Sequence, residues 1–124
     1  MKTTTELNKI DKVFLGNFEN KADVEREFMV NLRDVEVLLA YYTYEDYSGD
    51  AYVLAYDLAS DKLIEVYGSH CSCYGLEGQW EPEDTTIQYL QHRLDSLNTY
   101  TCEGYKEELR TVVEQLVKHK LGVK

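Results

Sequence analysis

The sequence predicts an α+β domain in which a three-stranded antiparallel meander packs against three helices. The first observation is the stretch EVLLAYYTYEDYSGDAYVLAYDLASDKLIEVYGSH, residues 36–70, rich in aromatic and β-branched residues with turn signals at regular intervals. The second is helical spacing of apolar residues on both sides of that stretch, from Asn20 and again from Thr85. The third is the absence of an internal repeat or linker, so that residues 1–124 read as one domain. A chain of this length buries a sufficient core without metal or disulfide.

Residues 1–19 are mixed, with an apolar cluster at Val13, Phe14, Leu15 and Phe18 that reads as a strand or as an irregular arm over the core. The first helix follows. Asn20 is placed to cap it, Asp23 lies in its first turn where it favours the dipole, and Val24 and Phe28 share a face, with an end expected near Asn31. Strands are expected at about 35–46, 51–59 and 62–69, joined by turns at Ser48-Gly49-Asp50 and Ser60-Asp61-Lys62. Alternation sets Val37, Leu39 and Tyr41 on one face and Leu38, Ala40 and Tyr42 on the other. Neither face is polar, which points to helices over one and a tyrosine-lined, partly exposed second. Thr85 and Gln88 form a capping box for the second helix, whose Ile87, Leu90, Leu94 and Leu97 recur at three- and four-residue steps. Residues Asn98 to Gly104 interrupt the pattern. A last helix over about 105–120 buries Leu109, Val112, Val113, Leu116 and Val117, with Lys118, His119 and Lys120 at its favourable C-terminal end and Gly122 beyond.

The formal net charge is −10 and there are eleven tyrosines. That charge disfavours DNA, RNA and anionic membranes as partners and suits docking on a basic surface. No run approaches the ~18 apolar residues of a membrane helix, and the start, MKTTTELNKIDK, lacks the apolar centre of a secretion signal. Three cysteines, an odd number, build no disulfide framework within one chain, so a reducing, cytoplasmic setting is expected.

The loop GSHCSCYGLEGQWEPED, residues 68–84, concentrates two of the three cysteines with His70, Trp80 and Pro82. Zinc needs about four nitrogen or sulfur ligands, usually from paired knuckles. Cys71 and Cys73 have C-x-C spacing and no second pair answers them; joining them to Cys102 or a histidine such as His92 would complete a small structural zinc domain, kept as the alternative reading. A cysteine nucleophile needs a base that reaches its sulfur, and no motif supplies one. Glu77, Glu81, Glu83 and Asp84 show no fixed pairing for acid–base work. A scaffold accounts for more of the loop: Gly68, Gly75 and Gly78 free the backbone, Trp80 anchors it on the core, and Pro82 aims it into the capped helix. No catalytic residue, metal ligand or cofactor is assigned, and the protein is read as a non-enzyme.

Tyr41, Tyr42, Tyr44, Tyr47, Tyr52 and Tyr56 interleave with Glu45, Asp46, Asp50 and Asp57, and no Lys or Arg occurs between residues 34 and 61. Aromatic sheets that bind single-stranded nucleic acid carry basic residues beside the rings. Tyrosines beside carboxylates suit a protein partner instead, because tyrosine buries a large area at low entropic cost. The candidate partner-binding residues are Tyr44, Glu45, Asp46, Tyr47, Asp50 and Tyr52.

The segments VYGSHCSCYGLEGQWEPEDTT and YEDYSGDAYVLAYD resemble a group of small accessory proteins encoded by tailed bacteriophages. The resemblance covers roughly residues 40–94, with GSHCSCYGLEGQWEPE its specific part. It implies a protein made in a bacterial cytoplasm and carries no activity or site residues with it. Acidic phage proteins of this size often block host machinery, including CRISPR–Cas nucleases. The expectation is therefore a non-enzymatic, anti-CRISPR-like inhibitor that occludes a basic groove of a host nucleic-acid-handling protein.

Overall fold

The computed structural model describes residues 10–45, 48–70, 75–95 and 105–119. The elements run β1 (Val13–Gly16), α1 (Lys21–Phe28), β2 (Val35–Glu45), β3 (Ser48–Asp57), β4 (Lys62–His70), β5 (Glu83–Thr85), α2 (Ile87–Asp95) and α3 (Lys106–Lys118). All strands join one sheet in the order β1-β2-β3-β4-β5. β1 lies parallel to β2, from Val13 beside Leu39 to Gly16 beside Tyr42, and the other pairs are antiparallel.

The architecture is α+β, but the three-stranded antiparallel sheet expected from sequence is wrong. The sheet is mixed and five-stranded. β1 is only four residues long, too short to show alternation, and its parallel partner is reached across the intervening α1. β5 is the polar tripeptide Glu83-Asp84-Thr85, which reads as loop until it is seen pairing with Leu63–Glu65. The first turn also shifts. Glu45 pairs with Ser48, so Ser48-Gly49-Asp50 belongs to β3.

Both faces of the sheet are covered. On one, Tyr52, Leu54 and Tyr56 of β3 and Leu63 of β4 pack beneath Ile87, Leu90 and Leu94 of α2 and Leu109, Val112, Val113 and Leu116 of α3. On the other, Val53, Ala55, Ile64 and Val66 lie with Val24 and Phe28 of α1, with Phe18 and with Leu76. The expected half-exposed tyrosine face is therefore absent among the described residues: Tyr42, Tyr52 and Tyr56 are all buried. The expected alternation in β2 fails at a register shift between Val37 and Leu39. There Val37 joins Ala40 and Tyr42 on the α1 face, while Leu38 and Leu39 both belong to the opposite core. An extra residue in one strand has this effect.

Helix α1 is capped by the Asn20 side chain, which accepts from the Asp23 amide at 3.0 Å, while Asp23 accepts from the Glu19 amide at 2.9 Å. It ends earlier than expected, at Phe28, because Met29 takes a left-handed conformation with φ 57° and Val30 donates to Glu25 O at 3.0 Å. The cap of α2 is Thr86, not Thr85: its Oγ1 accepts from the Tyr89 amide at 3.1 Å. Thr85 closes β5 instead, and its hydroxyl is buried without a hydrogen-bond partner. Thr86→Ala should therefore lower stability by ~1 kcal/mol, whereas Thr85→Val, which removes an unsatisfied hydroxyl at nearly constant shape, should be neutral or stabilising. Denaturant melts of the two variants check this, and equal losses would contradict it. In α3, Val117 is exposed rather than buried. Leu97 and Gly122 lie outside the described residues.

Candidate functional site

The loop after β4 is held by a residue the sequence did not single out. The Gln79 side chain accepts from Ser69 N at 2.8 Å and donates to Ser69 O at 2.7 Å, and also to Gly75 O at 2.6 Å. A side-chain amide thus pairs with β4 as a neighbouring strand would. Trp80 stacks edge-on against Phe28, with ring centroids 5.3 Å apart, beside the α1-side core. Gly68 gives space rather than unusual backbone: a Cβ there would lie 3.0 Å from Leu76 and 3.3 Å from Phe28. His70 makes a 2.6 Å hydrogen bond to the buried Tyr42 hydroxyl. Cys71, Cys73 and Cys102 lie outside the described residues, and among those described no group of three metal-ligating side chains occurs.

The expected partner-binding residues are divided by the fold. Tyr44 and Glu45 end β2, and Asp46 and Tyr47 lie outside the described residues, between the paired Glu45 and Ser48. Asp50 is exposed in β3. Tyr52 does not belong to a surface at all. It is 1% exposed, stacked on Tyr105 with centroids 4.5 Å apart, and its hydroxyl donates to Glu65 at 2.6 Å.

That bond leads to a polar cluster beneath a cleft. Glu65 is the one buried charged residue of those described. Its carboxylate accepts from Tyr52, from Tyr67 at 3.1 Å and from Arg93 Nη2 at 2.6 Å. Arg93 also donates to the Tyr67 hydroxyl at 2.6 Å and to the Tyr52 hydroxyl at 3.2 Å. Its guanidinium lies 5.7 Å from the Tyr52 ring centre and 5.5 Å from that of Tyr89. The arrangement follows from local periodicity: Glu65 and Tyr67 are two apart on one face of β4, and Tyr89 and Arg93 are four apart on one face of α2. Above them is a cleft of about 250 Å³ walled by Tyr67, Glu83, Thr85, Thr86, Tyr89 and Arg93.

Burial sets the electrostatics of this cluster. It pushes the Tyr52 phenol well above its ordinary pKa, and the Glu65 charge adds to the rise. Tyr67 is raised for the same two reasons, and Tyr56 by burial and its hydrogen bond to Asp61. Burial opposes the Arg93 charge, but Tyr52, Glu65 and Tyr67 outweigh it and hold the guanidinium protonated. Above about pH 10 the unfolded chain loses tyrosine protons that the folded chain keeps. Folding stability is therefore full below that pH and falls as pH rises beyond it. Thermal melts from about pH 8 to about pH 11 should show Tm dropping near the upper end, with tyrosinate absorbance from these rings appearing only on unfolding. Early ionisation of all tyrosines at constant Tm would contradict this.

Comparison with family models, with curated proteins and with solved structures gives no match. The charge of this chain is unevenly placed. Residues 34–92 hold twelve carboxylates and a single cation other than histidine, Lys62, which sits 3.2 Å from Asp84. The flanking segments are nearly balanced. Asp34, Asp50, Asp61, Glu77, Glu81, Glu83 and Asp84 are all exposed. No helix among the described residues is long and apolar enough to cross a membrane.

Proposed function

We propose that this chain is a non-enzymatic binding protein that sets its acidic sheet segment against a basic, nucleic-acid-binding surface of a host protein and blocks it. The observation that carries this reading is the charge segregation: residues 34–92 alone carry a formal charge of −11, and the flanking segments together carry +1. Such a field attracts a basic groove at long range and repels nucleic acid, which makes the protein a competitor for the groove rather than a ligand of its usual occupant. Glu45, Asp46 and Asp50, with Tyr44 and Tyr47 near them in the sequence, remain the contact residues of this proposal, and Tyr52 leaves it because it is buried.

The partner class we propose is a bacterial nuclease or polymerase, with a CRISPR effector as the leading case, met in the bacterial cytoplasm by a phage-encoded inhibitor. Capture of bacterial proteins on the tagged full chain, followed by mass spectrometry and a nucleic-acid competition assay, tests it. The expected result is a stoichiometric nucleic-acid-binding protein whose DNA or RNA is displaced by this chain. A partner that binds this chain and its nucleic acid together, or no partner, would overturn the proposal.

A further inference from the structure

The cleft over Arg93 holds Tyr67 at 45% and Tyr89 at 53% exposure, large aromatic side chains that stand open among the described residues. Glu83 lines the same cleft, exposed on β5 and directly opposite Glu65 across the β4–β5 ladder. Like charges at directly opposed positions repel. Arg93 relieves Glu65, but no ion pair to Glu83 occurs among the described residues. The charge of Arg93 is matched by Glu65 at 2.6 Å and its Nη atoms are bonded to Tyr67, Tyr52 and Glu65, while its buried Nε has no hydrogen-bond partner among the described residues. With Asp84 of the same lining paired to Lys62 at 3.2 Å, the cleft offers two aromatic rings and one carboxylate without an ion pair among the described residues, Glu83. That is the chemistry that recognises a flat cation, and Arg93, set between the Tyr52 and Tyr89 rings, already shows a guanidinium held this way on the inner side.

We propose that the cleft between Tyr67 and Tyr89 receives an arginine side chain of the basic partner protein, its guanidinium lying against the two rings and paired with Glu83. The proposal rests on the reading of the chain as a binder of basic proteins and supplies that reading with a specific anchor. Arginine is preferred over lysine because a planar, weakly hydrated guanidinium stacks on phenol rings while donating in plane to a carboxylate.

The test uses the isotope-labelled full chain and N-acetyl-arginine amide, followed by amide chemical shifts. The neutral isostere N-acetyl-citrulline amide, N-acetyl-lysine amide and inorganic phosphate are titrated beside it. Saturable shifts confined to Glu83, Thr85, Thr86 and Tyr89, with a Kd on the order of 1 mM, are expected for the arginine compound. Glu83→Gln and Tyr89→Leu should each weaken it by about two- to fivefold; both positions are exposed, and melts verify that the fold is kept. Shifts scattered over the acidic surface, equal shifts with citrulline, or a response to phosphate instead would overturn the proposal. A partner captured by the wild type but held equally well by Tyr89→Leu overturns the pocket alone. Arginine binding without any captured partner leaves the pocket standing and counts against the wider reading.

Discussion

Arg93→Ala is expected to destabilise the fold by about 3–5 kcal/mol, the cost of leaving a buried carboxylate without its cation. The side chains of Arg93 and Glu65 are only 11% and 5% exposed, so water reaching the carboxylate through the cleft replaces only part of what the guanidinium supplies. The loss has a particular signature. Removing both charges with Arg93→Met and Glu65→Leu together should restore part of the stability, because a buried pair adds little over apolar residues of similar size. The buried Tyr52 hydroxyl, left without these partners, keeps a cost of about 1–3 kcal/mol. A denaturant-melt cycle over the two single variants and the double variant measures this. If Arg93→Ala costs less than ~1 kcal/mol, the range of an exposed pair, the cluster is solvated and the buried-network account is wrong.

The second large effect is expected at Gly16. This residue ends β1 with φ +66°, and a Cβ on it would fall 2.1 Å from the Tyr42 carbonyl oxygen and 3.1 Å from its carbon. The same oxygen accepts from the Asn17 amide at 2.7 Å, so the carbonyl is already held in place. Gly16→Ala adds a left-handed backbone penalty of ~1–2 kcal/mol to a clash that only separation of β1 from β2 relieves. A total on the order of 3 kcal/mol or more is expected, with amide exchange accelerating first in β1 and at Tyr42. A variant that melts like the wild type, with β1 amides still protected, would show that the strand is not fixed as described.

The reach of the sequence follows from what was local in it. Helix α1 is announced by Asn20 and Asp23 within one turn, and α2 and α3 by apolar residues on a single stripe. The parallel β1–β2 pair joins residues about 26 apart, Val13 with Leu39, through only four positions, and no short-range pattern encodes such a pairing. Thr85 and Thr86 are neighbours of equal capping chemistry, and the three-residue β5, which takes Thr85, decides between them. Because neither face of their strands is polar, the tyrosines suit a surface and a core about equally in the sequence; the cores on both sides take Tyr42, Tyr52 and Tyr56, with their hydroxyls bonded to His70, Glu65 and Asp61.

The Arg93 cluster leaves one trace in the sequence. Glu65 interrupts the apolar run Leu63-Ile64-Glu65-Val66, and an acid at a buried strand position requires a cation from elsewhere in the fold. After Lys62, the next Lys or Arg in the chain is Arg93.

The measurement that bears most directly on the proposed function is the affinity for the captured partner as a function of salt, for the wild type and for the triple variant Glu45→Lys, Asp46→Lys, Asp50→Lys. The account predicts that wild-type binding weakens steeply between about 0.05 and about 0.5 M salt, as the Debye length shrinks from ~14 to ~4 Å. The triple variant should bind at least tenfold more weakly at low salt, with a flatter dependence, because charge reversal at the contact removes both attraction and its screening. Equal affinity and equal salt dependence for the two proteins would contradict the account, since the acidic end of the sheet would then contribute nothing to recognition.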